Sequence, residues 1–339
     1  MKVCISEQIK LFSVYSHMMK IEDNLGRKFE KLRISLLNTC NFSCVYCVSE
    51  ELTDLNGHSV LKKEEQLGLS EFVQQIEAIH RLNPLKSVRL TGGEPLLYRD
   101  LIPLIREIKK LGIDDIRLTT NAYYLKGHAD KLFDAGLKSV NISVDAINPE
   151  VFNRIARFGN TKRVFEGIES AAQSGMKVKL NTVVMRGKNE NEIVPLLDYA
   201  ASLGVKIRYL ELMKMGHLYH SNNGHFFSEK EILETIQNKY SIEQLPRVQS
   251  ETARYWKASN GGTFGIIANE STPFCHDCNR LRMDSNGKFY GCLSNSRGEK
   301  LTPYLADDEK LAGKLKELLL LKQPVRFHGS ELSMRNIGG

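Results

Sequence analysis

One unit, a short β-rich run followed by a helical-period segment, occurs six times between Lys31 and about Met215. Such alternation with short connections requires parallel strands joined by right-handed crossovers. A complete barrel of this kind needs eight units, so the sequence predicts an α/β fold built on a partial, open (βα)6 TIM-like barrel. Ligands of such sheets collect at the carboxyl ends of the strands. The predicted strands are Lys31–Leu37, Ser87–Thr91, Ile116–Thr120, Ser139–Val144, Lys177–Val184 and Lys206–Leu210.

The rest of the chain lacks this alternation of strands and helices. Residues 1–29 are predicted to form an N-terminal extension, and residues 30–215 the barrel. Beyond Met215 a loop and one helix, Glu229–Asn238, are followed by turn-rich sequence that contains several cysteines. We therefore predict a third region, residues 216–339, that extends the barrel at its C-terminal side.

The composition is that of an ordinary soluble globular protein, with 42% hydrophobic and 26% charged residues. No apolar run approaches the roughly 20 residues that span a bilayer, and no signal-peptide core is present near the N-terminus. We expect a cytoplasmic protein with no membrane partner. The net charge of +7 suits an anionic small-molecule substrate. The basic residues are dispersed rather than clustered, which does not favour a nucleic-acid partner.

Six of the seven cysteines fall into two groups of three. In a cytosolic chain this grouping indicates metal or redox chemistry rather than disulfides. Cys40, Cys44 and Cys47 follow the first predicted strand in one loop, a spacing that can hold one [4Fe–4S] cluster. Such a cluster normally takes four cysteines, so three leave one iron open, as a catalytic zinc site leaves one position open. A zinc knuckle or buried structural thiols are the alternatives.

Cys275, Cys278 and Cys292 form the second group, which predicts a second [4Fe–4S] cluster in the C-terminal extension. Arg280 and Arg282 lie between the last two of these cysteines, and they point to the same side if the segment is extended. Two guanidinium groups beside an open iron could bind a triphosphate or a purine. The alternative is a structural zinc ribbon that recruits a neighbouring histidine as its fourth ligand.

The first cysteine group, placed directly after a strand, resembles that of the radical S-adenosylmethionine (SAM) superfamily. The resemblance implies that SAM is a cofactor and that its reductive cleavage gives a 5′-deoxyadenosyl radical, which the protein aims. The segment Thr91–Pro95, with two glycines and an acid, matches the motif by which the superfamily holds the SAM amino group. The SAM contacts implied by matching positions are Tyr46, Gly93, Glu94, Ser143 and Met213.

The segment Phe274–Arg282 with Cys292, and the terminal segment Met334–Gly339, resemble the GTP 3′,8-cyclase family of molybdenum cofactor biosynthesis. This resemblance implies a radical SAM lyase that converts GTP to (8S)-3′,8-cyclo-7,8-dihydroguanosine 5′-triphosphate on the route to molybdopterin. The radical would take the 3′ hydrogen of GTP, and the carbon radical so formed would attack C8 of guanine. The second cluster would hold the base through its open iron, and the tail with its paired glycines would insert toward the active site.

The same resemblance implies substrate contacts and partners. Arg280 and Arg282 would also be catalytic, because one of them would assist reduction of the intermediate. An external electron donor is required, and the next enzyme of the molybdopterin pathway would take over the product. Homodimer formation stays open. The positions implied to contact GTP are Arg33, Arg89, Thr119, Lys179, Arg208, Arg280, Leu281 and Arg282.

Several positions depart from the family pattern and leave a changed substrate open. Ser87 stands where the family has a lysine, although Lys86 is adjacent. Two other functions also stay open. One is a related radical SAM maturase that acts on a peptide and uses the C-terminal cluster for electron transfer, and the other is a non-enzymatic zinc-binding interaction protein. The departing positions are Asn38, Thr39, Val48, Ser49, Ser87 and Ala122.

Overall fold

The computed structural model describes residues 21–52, 66–220 and 224–337. Most of the predicted N-terminal extension, with Cys4, therefore lies outside the described residues. So do the two terminal glycines, Gly338 and Gly339, to which the family resemblance gives a role.

Six parallel strands form the central sheet, and they pair as neighbours in chain order. The prediction of an open α/β barrel is confirmed, because the ends of the sheet do not meet. The predicted strand positions hold to within two residues. The strands are β1 (Lys31–Ser35), β2 (Ser87–Thr91), β3 (Asp115–Thr120), β4 (Leu137–Ser143), β5 (Lys177–Val184) and β6 (Lys206–Glu211).

Helices follow the strands and pack on the outer face of the sheet. The unit that begins with β4 has two helices where the sequence predicted one, and the first of them, α4 (Pro149–Ala156), is well capped. The Asn148 side chain accepts hydrogen bonds from the backbone N–H groups of Glu150 and Val151 at 2.9 and 3.2 Å. No helix of the described residues is long and apolar enough to cross a membrane. The helices are α1 (Leu69–Leu82), α2 (Leu101–Lys110), α3 (Ala129–Ala135), α4 (Pro149–Ala156), α5 (Thr161–Gln173) and α6 (Ile193–Ser202).

The C-terminal region does not fold beside the barrel but lengthens its sheet at both edges. Strand β10 (Arg280–Met283) pairs in parallel with β1, and β9 (Thr263–Ile267) pairs in parallel with β6. Eight parallel strands thus stand side by side, with short antiparallel strands beyond each end. The boundary between residues 215 and 216 stays a prediction, since strands from both sides share one sheet. The added elements are α7 (Glu229–Gln237), β7 (Ile242–Gln244), β8 (Arg254–Ala258), β9 (Thr263–Ile267), β10 (Arg280–Met283), β11 (Lys288–Tyr290), β12 (Glu299–Lys300), α8 (Asp308–Leu320) and α9 (Met334–Ile337).

The two faces of the sheet have different chemistry. Successive side chains on a strand point to opposite faces. On β1, Leu32 and Ile34 are fully buried in the hydrophobic core beneath the helices. The alternate residues, Lys31 and Arg33, line a cavity inside the barrel. The outer face therefore supplies the apolar packing, and the inner face is free to carry polar groups.

Replacing either of two helical glycines by alanine should change stability, in opposite directions at the two positions. In most helix interiors Gly→Ala is stabilising by about 0.5–1 kcal/mol. A Cβ on Gly167 in α5 would lie 2.2 Å from the carbonyl oxygen of Ala122, so the helix or the loop must move. Gly167→Ala is expected to lower the free energy of unfolding by about 1–3 kcal/mol.

Gly313→Ala in α8 is the matched control, because a Cβ there meets no atom within 4 Å. We expect this variant to unfold at a higher denaturant concentration than the parent. Urea unfolding followed by far-UV circular dichroism measures both variants. Stabilisation by Gly167→Ala would contradict the close approach of α5 to the loop after β3.

Candidate active site

The first cysteine group lies in the loop that follows β1, at the carboxyl end of that strand. Its three thiols line a cavity of 190 Å³, here called the first chamber. Burial raises the pKa of Cys40 to about 11 and that of Cys47 to about 12. A metal holds such a thiol as the thiolate whatever its ordinary pKa. Three thiols on one chamber wall are therefore a donor set that fits an iron–sulfur cluster.

The glycine motif after β2 packs against this cysteine loop. A Cβ on Gly93 would lie 2.0 Å from the carbonyl oxygen of Thr39, one residue before Cys40. The backbone N–H groups of Gly93 and Glu94 donate to the carbonyls of Leu37 and Thr39 at 2.7 and 2.9 Å. Glycine permits close approach of backbone to backbone, and here the approach is to the cysteine loop. The glycine motif therefore positions the cysteines and also lines the chamber.

Glu94 lines the first chamber, yet its carboxylate already accepts three hydrogen bonds. The donors are the hydroxyl of Thr120 at 2.6 Å and the backbone N–H groups of Asn121 and Leu96 at 2.8 and 3.0 Å. Burial raises the pKa of Glu94 to about 7, against the opposing effect of these donors. Its carboxylate links the ends of β2 and β3, which is a positioning role beside the predicted contact with SAM.

The other positions implied to contact SAM also line the first chamber. Tyr46 donates from its hydroxyl to Asp145 at 2.8 Å, and Asp145 in turn accepts from the backbone N–H of Val183 at 2.8 Å. Ser143 lies at the end of β4. The thioether of Met213 is fixed by the amide of Asn269 at 2.9 Å. The structure therefore brings Tyr46, Gly93, Glu94, Ser143 and Met213 together around one cavity.

A second cavity of 210 Å³, here called the second chamber, lies deeper in the barrel. Five residues border both chambers, so the two chambers are neighbours. The predicted substrate residues Arg33, Arg89, Lys179 and Arg208 line it, as do Arg280 and Arg282. These residues lie along the strands rather than at the carboxyl ends, where ligands were expected. The residues that border both chambers are Thr119, Asn181, Leu210, Met213 and Met334.

Four arginines stand in register across four neighbouring strands. Arg33 pairs with Arg282 on one side and with Arg89 on the other, and Arg89 pairs with Arg117. Arg117 also forms a hydrogen-bonded ion pair with Asp115, whose carboxylate lies 2.8 Å from the guanidinium Nε. Parallel strands lie about 4.8 Å apart, so the sheet itself holds these cations close together. We call these four residues the arginine row.

Burial and mutual repulsion lower the pKa of several cations on the inner face of the sheet. Burial, followed by repulsion from Arg282 and Arg89, lowers the pKa of Arg33 far below its usual value. Burial and Arg208 lower the pKa of Arg89 to about 9 and that of Lys179 to about 8. Desolvated like charges disfavour the charged forms, so a bound polyanion would relieve the strain that these shifts report.

Hydrogen bonds hold several of these cations in place. Arg89 donates to the Thr119 hydroxyl at 3.4 Å, and Arg208 donates to the side-chain oxygen of Asn181 at 2.9 Å. Lys179 lies 3.5 Å from the hydroxyl of Tyr255. These contacts give Thr119, which was predicted to bind substrate, a place in orienting Arg89.

The second cysteine group borders the second chamber at the opposite end of the barrel. Cys275 and Cys278 immediately precede β10, so they lie at the amino end of a strand that runs parallel to β1. Arg280 donates to the Cys278 sulfur at 3.4 Å. Burial by itself would raise the pKa of Cys278, but the charges of Arg280 and Lys322 lower it to about 5. A thiol so stabilised as the thiolate fits a cluster ligand.

No three His, Cys, Asp or Glu side chains of the described residues meet in an arrangement that could hold a single metal ion. A [4Fe–4S] cluster does not require such an arrangement. Each of its cysteines binds a different iron, so the three sulfurs are spread around the cluster rather than directed at one point.

The C-terminal segment enters the barrel as the family resemblance implies, as far as it is described. Met334 borders both chambers, and the buried Arg335 lines the first. The carbonyl of Arg335 accepts from the Ser35 hydroxyl at 2.8 Å. The guanidinium of Arg282 donates to the carbonyl of Ile337 at 3.3 Å. The last described residues are therefore held against the arginine row.

Leu281 is the one predicted site residue that lines neither chamber. Its side chain is fully buried in the hydrophobic core, because it points to the opposite face of β10 from Arg280 and Arg282. Sequence reasoning also missed further polar lining residues. Those on the strands could have been found by following the alternation along each strand and just past its carboxyl end, and Arg335 by its place in the tail. Examples are Arg117, Asn121, Asp145, Asn181 and Arg335.

Comparison with known proteins agrees with this architecture. Residues 34–200 match the family model described as Radical SAM superfamily, and residues 205–327 match that described as Molybdenum Cofactor Synthesis C. Among solved structures, SuiB of Streptococcus suis bound to its precursor peptide SuiA superposes with a TM-score of 0.61 at 14% identity, over 91% of this chain and 71% of that one. That likeness concerns the fold alone.

Sequence relatives are much closer. A protein of Staphylococcus carnosus (strain TM300) named GTP 3′,8-cyclase is 38% identical over 311 residues, which cover 88% of this chain and 90% of the relative. A protein of Staphylococcus haemolyticus (strain JCSC1435) with the same name is 40% identical over 282 residues, or 81% of each chain. This chain therefore belongs to the radical SAM superfamily and, within it, to the GTP 3′,8-cyclase family.

Proposed function

We propose that this chain binds GTP in the second chamber and closes a bond between C3′ of the ribose and C8 of the guanine. The product would be the cyclised triphosphate that leads to molybdopterin. One observation carries the proposal: two neighbouring chambers each have three cysteines in their walls, and arginines in register across adjacent strands line the second. A nucleoside triphosphate would bring negative charge to these arginines.

The residues that would hold the cofactors border the first chamber and the far end of the second. Cys40, Cys44 and Cys47 would hold one [4Fe–4S] cluster, and the second cysteine group would hold the other. When bound, SAM and the first cluster supply the 5′-deoxyadenosyl radical. SAM itself would lie against Tyr46 and the strand ends that the glycine motif fixes.

The residues of the second chamber would bind and orient GTP. The guanidinium groups of Arg33 and Arg89 can each donate two hydrogen bonds to phosphate oxygens. Arg208 and Lys179 add charge from the facing strands. Because β1 and β2 fix the spacing of the first two arginines, the triphosphate would be bound in one orientation, which sets the distance of the ribose from the first chamber.

The C-terminal segment would close the cavity over the substrate. Met334 borders both chambers, and Arg282 donates to the Ile337 carbonyl. Such closure excludes water, which protects a reactive intermediate from side reactions. Arg280 and Arg282 would also stabilise charge when the intermediate is reduced.

The proposal extends to partners. An external donor would supply electrons, and the next enzyme of the pathway would take over the product, in the cytoplasm. Homodimer formation belongs to the same set of hypotheses. A peptide substrate or a zinc-binding interaction role, the two alternatives, gives no reason for arginines in register on the inner face of the barrel.

Anaerobic incubation of reconstituted protein with SAM, dithionite and GTP tests the proposal. We expect 5′-deoxyadenosine and cyclised nucleotide in equal amounts, both dependent on GTP. Replacing Cys44 or Cys278 by alanine should abolish the cyclised product, because each removes a cluster ligand. Cys4→Ser serves as the control and should keep full activity. Formation of 5′-deoxyadenosine that is unaffected by GTP, with no nucleotide product, would contradict the proposal.

Arg89→Ala should weaken GTP binding. A hydrogen bond to a charged group contributes about 1.5–3 kcal/mol, and each 1.4 kcal/mol is about tenfold in affinity, so the dissociation constant should rise by about 10- to 150-fold. Arg106→Ala, on the exposed face of α2, is the matched control and should bind GTP as the parent does. Equilibrium binding under anaerobic conditions measures both variants. Equal affinities would place the triphosphate elsewhere.

GTP affinity should fall as pH rises through about 8. Burial and Arg208 lower the pKa of Lys179 to about 8 in the free protein. Binding of a triphosphate favours the ammonium form, so deprotonation above this pH weakens binding, by up to about tenfold per pH unit. Lys179→Arg should keep its affinity between pH 7 and about 8.5, since the guanidinium of arginine holds its proton to a higher pH than the ammonium of lysine does.

Lys177→Arg controls for the charge of the same strand, because Lys177 is exposed at its start. This variant should show the same decline in affinity as the parent. A parent protein whose affinity for GTP is constant from pH 7 to 9.5 would contradict a role for Lys179 in binding the phosphates.

A further inference from the structure

We propose that Lys31 is a phosphate-binding residue of the second chamber and supplies the cation that is absent at position 87, where this chain has serine. The inference rests on the proposed function, since it concerns the same chamber and the same substrate. It names a residue that sequence reasoning did not single out.

The register of the sheet places Lys31 beside both Ser87 and the second cluster region. Lys31 pairs with Ser87 of β2 on one side and with Arg280 of β10 on the other. Its side chain faces inward, because Leu32 and Ile34 take the outward positions of the strand. Lys31 and Ser87 both line the second chamber.

The spacing of the strands allows Lys31 to supply a cation at position 87. Neighbouring strands lie about 4.8 Å apart, which is less than the length of an extended lysine side chain. The ammonium group of Lys31 can therefore occupy the space above Ser87, where a lysine on β2 would place its own. Ser87 is buried, and its short side chain leaves that space available inside the chamber.

The surroundings of the Lys31 ammonium suit a phosphate. The group donates to one neutral acceptor, the Ser250 carbonyl oxygen at 3.4 Å. Arg117 and Arg280 repel it, whereas Glu251 and the Cys278 thiolate attract it. An ammonium has three N–H donors, so it can serve further acceptor oxygens. A polyphosphate offers these oxygens.

The neighbour of Ser87 in sequence, Lys86, cannot take this role. Its ammonium pairs with Glu30 at 2.9 Å, and its side chain is 73% exposed. Lys86 lines neither chamber. Lys86, which is next to position 87 in the chain, thus lies outside the barrel. Lys31, which is next to position 87 in space, belongs to β1.

Lys31→Met tests the inference, because it keeps the apolar stem and removes the charge. We expect affinity for GTP and for inorganic tripolyphosphate to fall by about 10- to 100-fold, with affinity for guanosine unchanged. Adding Ser87→Lys in the double variant should restore most of the lost affinity. Lys86→Met is the matched control and should bind all three ligands as the parent does.

The outcomes separate the two proposals. A parent protein that does not bind GTP contradicts the proposed function itself. A parent that binds GTP, with a Lys31→Met variant of equal affinity, overturns the role of Lys31 and leaves the proposed function standing. If Lys31→Met loses affinity and the added Ser87→Lys does not restore it, the idea that Lys31 replaces a lysine at position 87 is also overturned. Iron content and the unfolding midpoint identify a misfolded variant, and Lys31→Gln, alone and with Ser87→Lys, then repeats the comparison.

Discussion

Crowding of buried positive charge on the inner face of the sheet is the constraint on which the rest of this structure depends. Arg33, Arg89 and Arg282 lie side by side because hydrogen bonds between parallel strands fix their spacing. They cannot move apart without breaking the sheet. Partial burial weakens the screening of their repulsion by water. The apolar packing of the outer face, where Val88 and Leu90 are fully buried, must hold the strands together against this repulsion.

This arrangement also explains why the sheet needs the C-terminal region. Strand β10 contributes Arg282 to the arginine row and brings the second cysteine group to the amino end of the strands. The first cysteine group lies at the carboxyl end of β1. The two groups therefore border two neighbouring chambers from opposite ends of the strands, and a substrate bound along the arginine row would extend between them.

The cluster loop and the C-terminal segment are held by the same strand ends. Gly93 packs against Thr39, and Glu94 links β2 to β3. The hydroxyl of Ser35, the last residue of β1, donates to Arg335. Residues that would position the cofactors thus share contacts with the segment that closes the cavity, so disturbance of the tail should be felt in both chambers.

The sequence by itself determined the class of fold, because the strand–helix period and the crossover rule leave few other arrangements. It also identified the six cysteines, since thiolate chemistry requires that residue type at short spacing. The inward direction of Arg33 and Arg89 follows from the alternation of a strand. These features depend on local order along the chain, which the sequence contains directly.

Only the tertiary structure decided which distant segments become neighbours. The pairing of β10 with β1 placed the second cysteine group opposite the first, and no local pattern specifies a contact across about 250 residues. The exposed pairing of Lys86 and the inward position of Lys31 likewise depend on strand register. Leu281 was assigned to the site by its place in a motif, but the alternation of β10 buries it in the core. Register and edge pairing are set by the packing of the whole sheet, which is why they could be seen only in the folded chain.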